Sequence, residues 1–327
     1  MNPPSPPDPG RRAFLRQAAI TGLSAAGIGA AAWSLHRREP PPAHEEESLF
    51  TLPDFRVPGV SPEPAIAQGA DRVETVRQAI EQLGGMNRFI RRGDRVLLKV
   101  NAAFASAPLI GATTHPDLVT AVARMCFDAG AADVRVTDNP INDPDSCFRL
   151  SGIARAAEAG GASLWLPRPS YFQPMTLPSA RHLIRWPVLA DPFRGVTRLI
   201  GLAPVKDHHR SGASMTLKNW YGLLGGRRNL FHQDVHGLIA ELARWVRPTL
   251  VILDGTVAMI SNGPTGGSPD DLRETHTLIA GTDPVAVDTA GAAVLGRSPD
   301  SLPFLRLSAA AVAGTARSPA APPPESP

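Results

Sequence analysis

From residue 71 onward the chain alternates between two hydrophobic periods. Val73, Val76, Ile80 and Leu83 recur at helical spacing and stop at Gly84-Gly85. Residues 95–100 (RVLLKV) then form a short, almost continuous apolar run, the pattern of a strand buried on both faces. Leu118, Val119, Val122 and Met125 mark one face of a helix over 117–129, closed by Gly130, and 133–137 (DVRVT) reads as a second strand. The alternation continues with a helix over 152–159, strands over 163–166 and 198–202, and a helix over 232–246. Strands over 250–253 and 277–280 follow, then a helix over 284–295 that Asp283 caps and Pro284 opens. Between 166 and 192 the chain is Pro-rich. Strands alternating with helices predict an α/β fold whose mostly parallel sheet is flanked by helices, with room for a small inserted subdomain.

The ends behave differently. Residues 1–38 open with a Pro-rich decapeptide, then Arg11-Arg12, Phe14-Leu15 and Arg16, then an uncharged stretch from 18 to 35. As a helix that stretch would span roughly 27 Å, near a bilayer core, yet its Ala and Gly content makes it only mildly apolar. The layout is that of a targeting segment, and the Arg pair resembles the twin-arginine consensus. Small residues at 30–32 would suit cleavage, while His36-Arg37-Arg38 would suit an uncleaved anchor; both remain open. Residues 39–70 read as a Pro- and acid-rich linker, 71–314 as the folded domain, and 315–327 as a disordered tail.

Charge follows this division. Removing five arginines from 33 bases and one aspartate from 30 acids leaves 28 and 29, so the body beyond residue 38 is nearly neutral. A nucleic-acid partner, which demands a basic face, is not expected. Cys126 and Cys147 leave pairing open, and without a C-x-x-C the chain carries no intrinsic iron–sulfur or zinc motif.

Ligands of open α/β sheets bind beyond the carboxyl ends of strands. The residues expected there are Lys99 and Asn101, Asp138 and Asn139, Lys206, Asp207 and His208, and Asp254. The segment 211–232 adds glycines at 212, 222, 225 and 226, the cations Lys218, Arg227 and Arg228, the amide Asn219, and the flat rings of Trp220 and Tyr221. That combination suits a carboxylate or phosphate. His208-His209 is the leading acid–base candidate. His232 and His236 are spaced to share a helix face, and the loop 262–267, with Asn262 and Thr265, either cradles an anion or turns the chain. No P-loop, Rossmann fingerprint or G-x-S-x-G elbow occurs.

Seven segments in order, LLKVN (97–101), THPDLV (114–119), Lys206 to His208, LKNWYGLLGGRR (217–228), LARWVRPTLVILDG (242–255), NGPTGG (262–267) and AGTDPVAVD (280–288), resemble the domain-of-unknown-function family 362. The resemblance spans roughly residues 70–310. It implies an α/β fold found beside ferredoxin-like iron–sulfur modules in redox settings, with no established activity. Val100 stands where the family pattern has proline, and the cysteine-rich cluster segment of relatives is missing.

The resulting expectation is an exported enzyme, periplasmic or otherwise extracytoplasmic, acting on a small anionic ligand. Lys99, Asn101, Lys218, Asn219, Arg227, Arg228, Asn262, Thr265 and Asp283 would bind the ligand. His208, Lys206 and Asp254 would be catalytic, with no metal ligand set and no cofactor identified. The Tat translocase and a redox partner protein are the expected macromolecular partners. The alternative is a non-catalytic ligand- or cofactor-binding accessory protein of an envelope redox complex.

Overall fold

The structure, a computed structural model, describes residues 49–316, with side chains to residue 314, and Gly10. The twin-arginine segment, the first part of the linker and the tail lie outside the described residues.

In chain order the elements are β1 (Ala65–Gln68), α1 (Arg72–Gln82), β2 (Arg95–Lys99), α2 (Pro116–Asp128), β3 (Asp133–Thr137), α3 (Pro144–Leu150), α4 (Ile153–Ala159), β4 (Ser163–Trp165), β5 (Phe172–Met175), β6 (Trp186–Leu189), β7 (Arg198–His208), β8 (Gly212–Ser214), α5 (Thr216–Asn219), α6 (Val235–Trp245), β9 (Leu250–Met259), β10 (Leu272–Gly281), α7 (Pro284–Val294) and α8 (Pro303–Ala316). The main sheet runs β1-β10-β9-β7-β2-β3-β4, with β8 paired to β7. Its centre, β9-β7-β2-β3-β4, is parallel; β10 is antiparallel to β9, and β1 to β10. This is the α/β architecture that the alternating pattern implies.

Both faces are covered, which explains the unbroken apolar runs. Val96 and Leu98 of β2 point into a core with Val76, Ile80, Leu118 and Val122. Leu97 points the other way, into a core with Trp220, Leu238 and Val251. β7 and β9 alternate in the same manner, with Ile200 and Ile252 on the first face and Leu199 and Leu253 on the second. Helix starts follow the local chemistry. Asp71 accepts from the amides of Val73 and Glu74, and Asp283 from those of Val285 and Ala286, ahead of Pro284.

Three segments depart from the expectation. The stretch read as linker contributes to the fold: Phe55 is buried, its amide donates to Arg247 O (3.0 Å), and β1 adds an edge strand to β10. Only two of the four β1 side chains are buried, too short an apolar pattern to announce a strand. The Pro-rich excursion folds into a separate two-stranded antiparallel sheet, β5–β6, with Pro174 opposite Pro187. Each strand of a two-stranded sheet has a free edge, where a missing N–H costs nothing. Finally, the helix expected from His232 begins at Val235, because the Asp234 carboxylate caps it by accepting from the Gly237 amide (3.1 Å) and 228–234 is a 3-10 segment.

The strand order locates the crevice. The chain moves outward from β2 through β3 to β4, then returns to place β7 on the opposite side of β2. The order reverses between β2 and β7, so the space beyond their carboxyl ends is the natural ligand position.

Candidate functional site

At that position lies a cavity of about 230 Å3, lined by Asn101, Lys206, His208, Lys218, Tyr221 and Arg228 among others. β2 ends in Lys99, whose Nζ is fully buried and pairs with Asp138 Oδ1 (2.7 Å), just past β3. It also donates to Val100 O (2.6 Å) and Asn219 Oδ1 (3.2 Å). Asp138 is held in turn by the Ala102 amide (2.7 Å) and the Asn139 amide (2.9 Å). Gly222 closes over this pair: a Cβ there would overlap Asp138 Oδ1 and come within 2.8 Å of Lys99 Nζ, so only glycine fits. Burial pulls Lys99 below the ordinary lysine range, opposed by the Asp138 carboxylate.

β7 outruns the rest of the parallel sheet, and its register against β9 shifts between Pro204 and Lys206. Irregularities of this kind re-aim side chains beside functional sites. Beyond the shift, Lys206 and His208 are two residues apart in the strand and so share a face. Lys206 Nζ donates to Ala112 O (2.6 Å) and lies 5.4 Å from the Phe104 ring centroid. Burial, reinforced by the charge of Lys218, lowers it to about 7. Lys218 sits on the single turn α5, 5.2 Å above the Tyr221 ring, and burial followed by Arg228 lowers it to about 8. That turn is pinned from below by Asp288 of α7, whose carboxylate accepts from the Thr216 and Leu217 amides (2.9 Å each). Arg228 donates to Pro140 O (2.6 Å) and Leu224 O (3.2 Å), while Tyr221 OH donates to Arg228 O.

The charge count is lopsided. Lys99 has Asp138, but Lys206, Lys218 and Arg228 form no ion pair with any carboxylate among the described residues. Asn101 Oδ1 is buried there without a hydrogen-bond partner.

Three imidazoles stack along one wall: His208 is 5.1 Å from His209 and 6.4 Å from His232, with near-parallel rings. Their tautomers follow from their partners. His208 Nδ1 accepts from the Arg210 (3.1 Å) and Ser211 (3.3 Å) amides, so its proton sits on Nε2. Burial and the Lys218 charge lower His208 to about 2, which keeps it a neutral donor. His209 Nδ1 donates to Gly263 O and His232 Nδ1 to Asn229 O (3.1 Å each), which leaves a lone pair on each Nε2. His208, expected to move protons, is thus fixed as a donor. The ring nitrogens able to accept a proton belong to its neighbours.

The structure brings Lys206, His208, Lys218, Asn101, Asn219 and Arg228 to this cavity, with Lys99 directly behind. The Asn219 side chain spans β2 and β7, its Nδ2 donating to Lys99 O (3.2 Å) and Leu202 O (3.1 Å). Other expected residues lie elsewhere. Asp254 pairs with Arg72 (2.6 Å) in a separate cleft of about 130 Å3, beside Thr113 and His115. Asp283 spends its carboxylate on the α7 cap and borders a larger, mostly apolar hollow of about 590 Å3 with Leu217, Val246 and Val285. Asn262 is tied to Asp271 (2.6 Å), and Arg227 and Thr265 are exposed. Asp207 faces away from Lys206 and pairs with Arg297 (2.5 Å). His236 stacks on Phe304 instead of joining His232. Cys126 and Cys147 are both free and buried.

One signal in the sequence goes beyond motif spacing. The chain has only three lysines, against 30 arginines, and they are Lys99, Lys206 and Lys218. Every lysine is at this site.

The chain is 29% identical over 250 residues to Thylakoid-associated protein sll1697 of Synechocystis sp., covering 71% of this chain and 72% of that protein. Among solved structures it is similar to the lactate racemase apoprotein from Thermoanaerobacterium thermosaccharolyticum, at 14% identity and a TM-score of 0.40 over 74% of this chain and 58% of that one. A Thermotoga maritima protein aligns at 10% identity and a TM-score of 0.37, over 76% of this chain and 60% of its own. The chain thus spans about three fifths of the length of these solved structures. Residues 96–293, which run from the second residue of β2 to the penultimate residue of α7 and hold every residue of the cavity described above, match the model of one family, and the chain belongs to it: Domain of unknown function (DUF362).

Proposed function

We propose that this protein binds a small carboxylate-bearing anion in the cavity between β2 and β7 and acts on it chemically. The observation that carries this reading is the trio of buried or half-buried basic side chains, Lys206, Lys218 and Arg228, none of which forms an ion pair with a carboxylate among the described residues. Uncompensated buried charge is costly, and a fold retains it where a ligand supplies the counter-charge. The volume is below the roughly 300–1,000 Å3 of sites for drug-sized ligands, which favours a molecule of a few carbons. His208 Nε2–H and the lone pairs of His209 and His232 supply a donor and two acceptors for proton transfer.

The test is calorimetric titration with short mono- and dicarboxylates and inorganic phosphate, followed by product analysis. Saturable binding of a carboxylate that weakens in Lys218→Met supports the reading. A panel that gives no heat and no thermal shift sinks it. Binding without turnover of any ligand would leave an accessory, binding-only role.

We infer further that the chain works across or at a membrane. The Arg11-Arg12 segment supports export in the folded state through a twin-arginine translocase, and the thylakoid association named for the similar Synechocystis protein supports a membrane-linked location. Replacing both arginines with lysine should hold the protein in the cytoplasm on cell fractionation; unchanged distribution would refute export by this route.

A further inference from the structure

All three lysines of this chain lie at one site, while 30 arginines meet every other need for positive charge. Arginine binds carboxylates at least as well as lysine, through a bidentate fork, so charge alone does not explain the choice. What lysine offers and arginine lacks is an amine that can lose its proton and attack carbon. We propose that Lys206 is the nucleophile of an imine-forming site for a small oxo-carboxylate, with Lys218 and Arg228 holding the carboxylate and the Lys206 amine adding to the carbonyl. This rests on the anion-binding reading above and names its substrate class.

The geometry separates the three lysines by role. Lys99 is locked by Asp138, Val100 O and Asn219 Oδ1, which occupy its three N–H directions and leave it a fixed ammonium behind the cavity wall. Among the described residues Lys218 meets only the Tyr221 ring, and it lines the cavity as a cation. Lys206 is fully buried with a single acceptor, Ala112 O (2.6 Å), and the face of Phe104. A neutral amine satisfies that acceptor with one N–H and keeps its lone pair. Burial and the neighbouring Lys218 charge, which bring Lys206 to about 7, make that neutral form accessible near neutral pH.

The step balances with groups on the cavity wall. The Nζ lone pair forms a bond to the carbonyl carbon, the carbonyl π pair moves to oxygen, and the proton lost by nitrogen passes to that oxygen by way of an imidazole Nε2 of His209 or His232. The carbinolamine hydroxyl then leaves as water with the second proton, the one remaining on the nitrogen, passed to it by the same imidazole as the nitrogen pair closes the C=N bond. His208 Nε2–H is a fixed donor for the oxygen while it carries charge. No redox partner is needed, since amine and carbonyl yield imine and water.

The full-length protein is incubated separately with glyoxylate, pyruvate and 2-oxoglutarate, reduced with borohydride, and analysed by intact mass and peptide mapping. In parallel, glycolate, lactate and 2-hydroxyglutarate, which carry the carboxylate but no carbonyl, are titrated by calorimetry. The expected result is one adduct per chain, its mass gain that of the oxo acid less one oxygen, mapped to Lys206. With the oxo acid saturating at every pH, its yield should rise about tenfold per pH unit below about pH 7 and level off above. Excess hydroxy acid should suppress it at least about tenfold, and Lys206→Arg should abolish it. The wild-type map stands alone if that variant fails to fold. Hydroxy-acid binding with no adduct, or with an adduct on Lys99, Lys218 or the terminal amine, overturns the imine proposal and leaves the anion reading intact. Absence of binding by both acid series overturns both.

Discussion

Two polar clusters flank the parallel strands, and they treat charge in opposite ways. In the cleft beside the middle of β9, Asp254 and Arg72 are bonded to each other at 2.6 Å, and the second Asp254 oxygen accepts from the Thr256 amide (2.9 Å). Cation and anion cancel inside the protein. In the cavity between β2 and β7, the Lys99–Asp138 pair is complete in the same way, but three further basic side chains stand in front of it with no ion-pair partner among the described residues. Burial and polarity are common to both, so neither marks function. What distinguishes the second cluster is an excess of one sign, which the fold itself does not relieve.

The comparison breaks most visibly at Asp254. Removing one partner of a buried pair strands the other, so Asp254→Ala should cost about 3–5 kcal/mol, measured by urea unfolding, without changing carboxylate affinity beyond the loss of folded protein. Next in size is Gly222→Ala. Its methyl would collide with Asp138 Oδ1 and press on Lys99 Nζ, and overpacking of this kind costs about 1–3 kcal/mol. Because the collision falls on the pair that backs the cavity, this variant should lose ligand affinity along with stability. Lys218→Met should separate the two properties. Removing a cation that has no counter-ion should leave the unfolding midpoint unchanged or raised, while carboxylate binding weakens about 10- to 100-fold, which is about 1.4–2.7 kcal/mol. A large stability loss in Lys218→Met would mean that the two clusters are alike after all.

The sequence discloses these clusters unequally. Lys99, Asn101, Asp138, Lys206 and His208 follow apolar runs at strand ends, and the rule that ligands gather there is enough to collect them. Asp254 obeys the same rule and is misleading, because its partner Arg72 lies 182 residues away and only the fold brings them together. Arg227 and Arg228 are adjacent, yet one is exposed and the other reaches Pro140 O across the site. Which of the pair turns inward depends on the path of an irregular segment, which has no period to read. The parallel core was legible because both faces are buried, whereas β1 and the β5–β6 pair were not. The former is a half-buried edge, and the latter tolerates prolines only because each strand has a free side. The scarcity of lysine was legible and needed no structure, but a count of residue types acquires meaning only when the three positions prove to be neighbours.

The smallest effect, and the sharpest on mechanism, is in the pH dependence. Lys206 and Lys218 fall from 10.5 to about 7 and about 8 on folding. Above pH 7 the unfolded chain therefore holds protons that the folded protein has released, so stability should rise with pH from 7 to 9. Each group contributes at most about 1.4 kcal/mol per pH unit. The window is bounded on both sides. Below pH 7 the buried Asp288 carboxyl, raised to about 7 by desolvation, titrates as well. Above pH 9 the Cys126 thiol and the Tyr221 hydroxyl, both pushed up to about 12 by burial, act in the opposite sense. A bound carboxylate favours the protonated lysines, so its affinity should fall over the same interval in which the protein grows more stable, by up to about tenfold per pH unit per proton lost. Lys218→Met should remove its share of both slopes, and Asp254→Ala should leave both in place. If the two slopes share a sign, or if both survive unchanged in Lys218→Met, the cations at this site are not titrating against the ligand, and the contrast between the two clusters is one of packing alone.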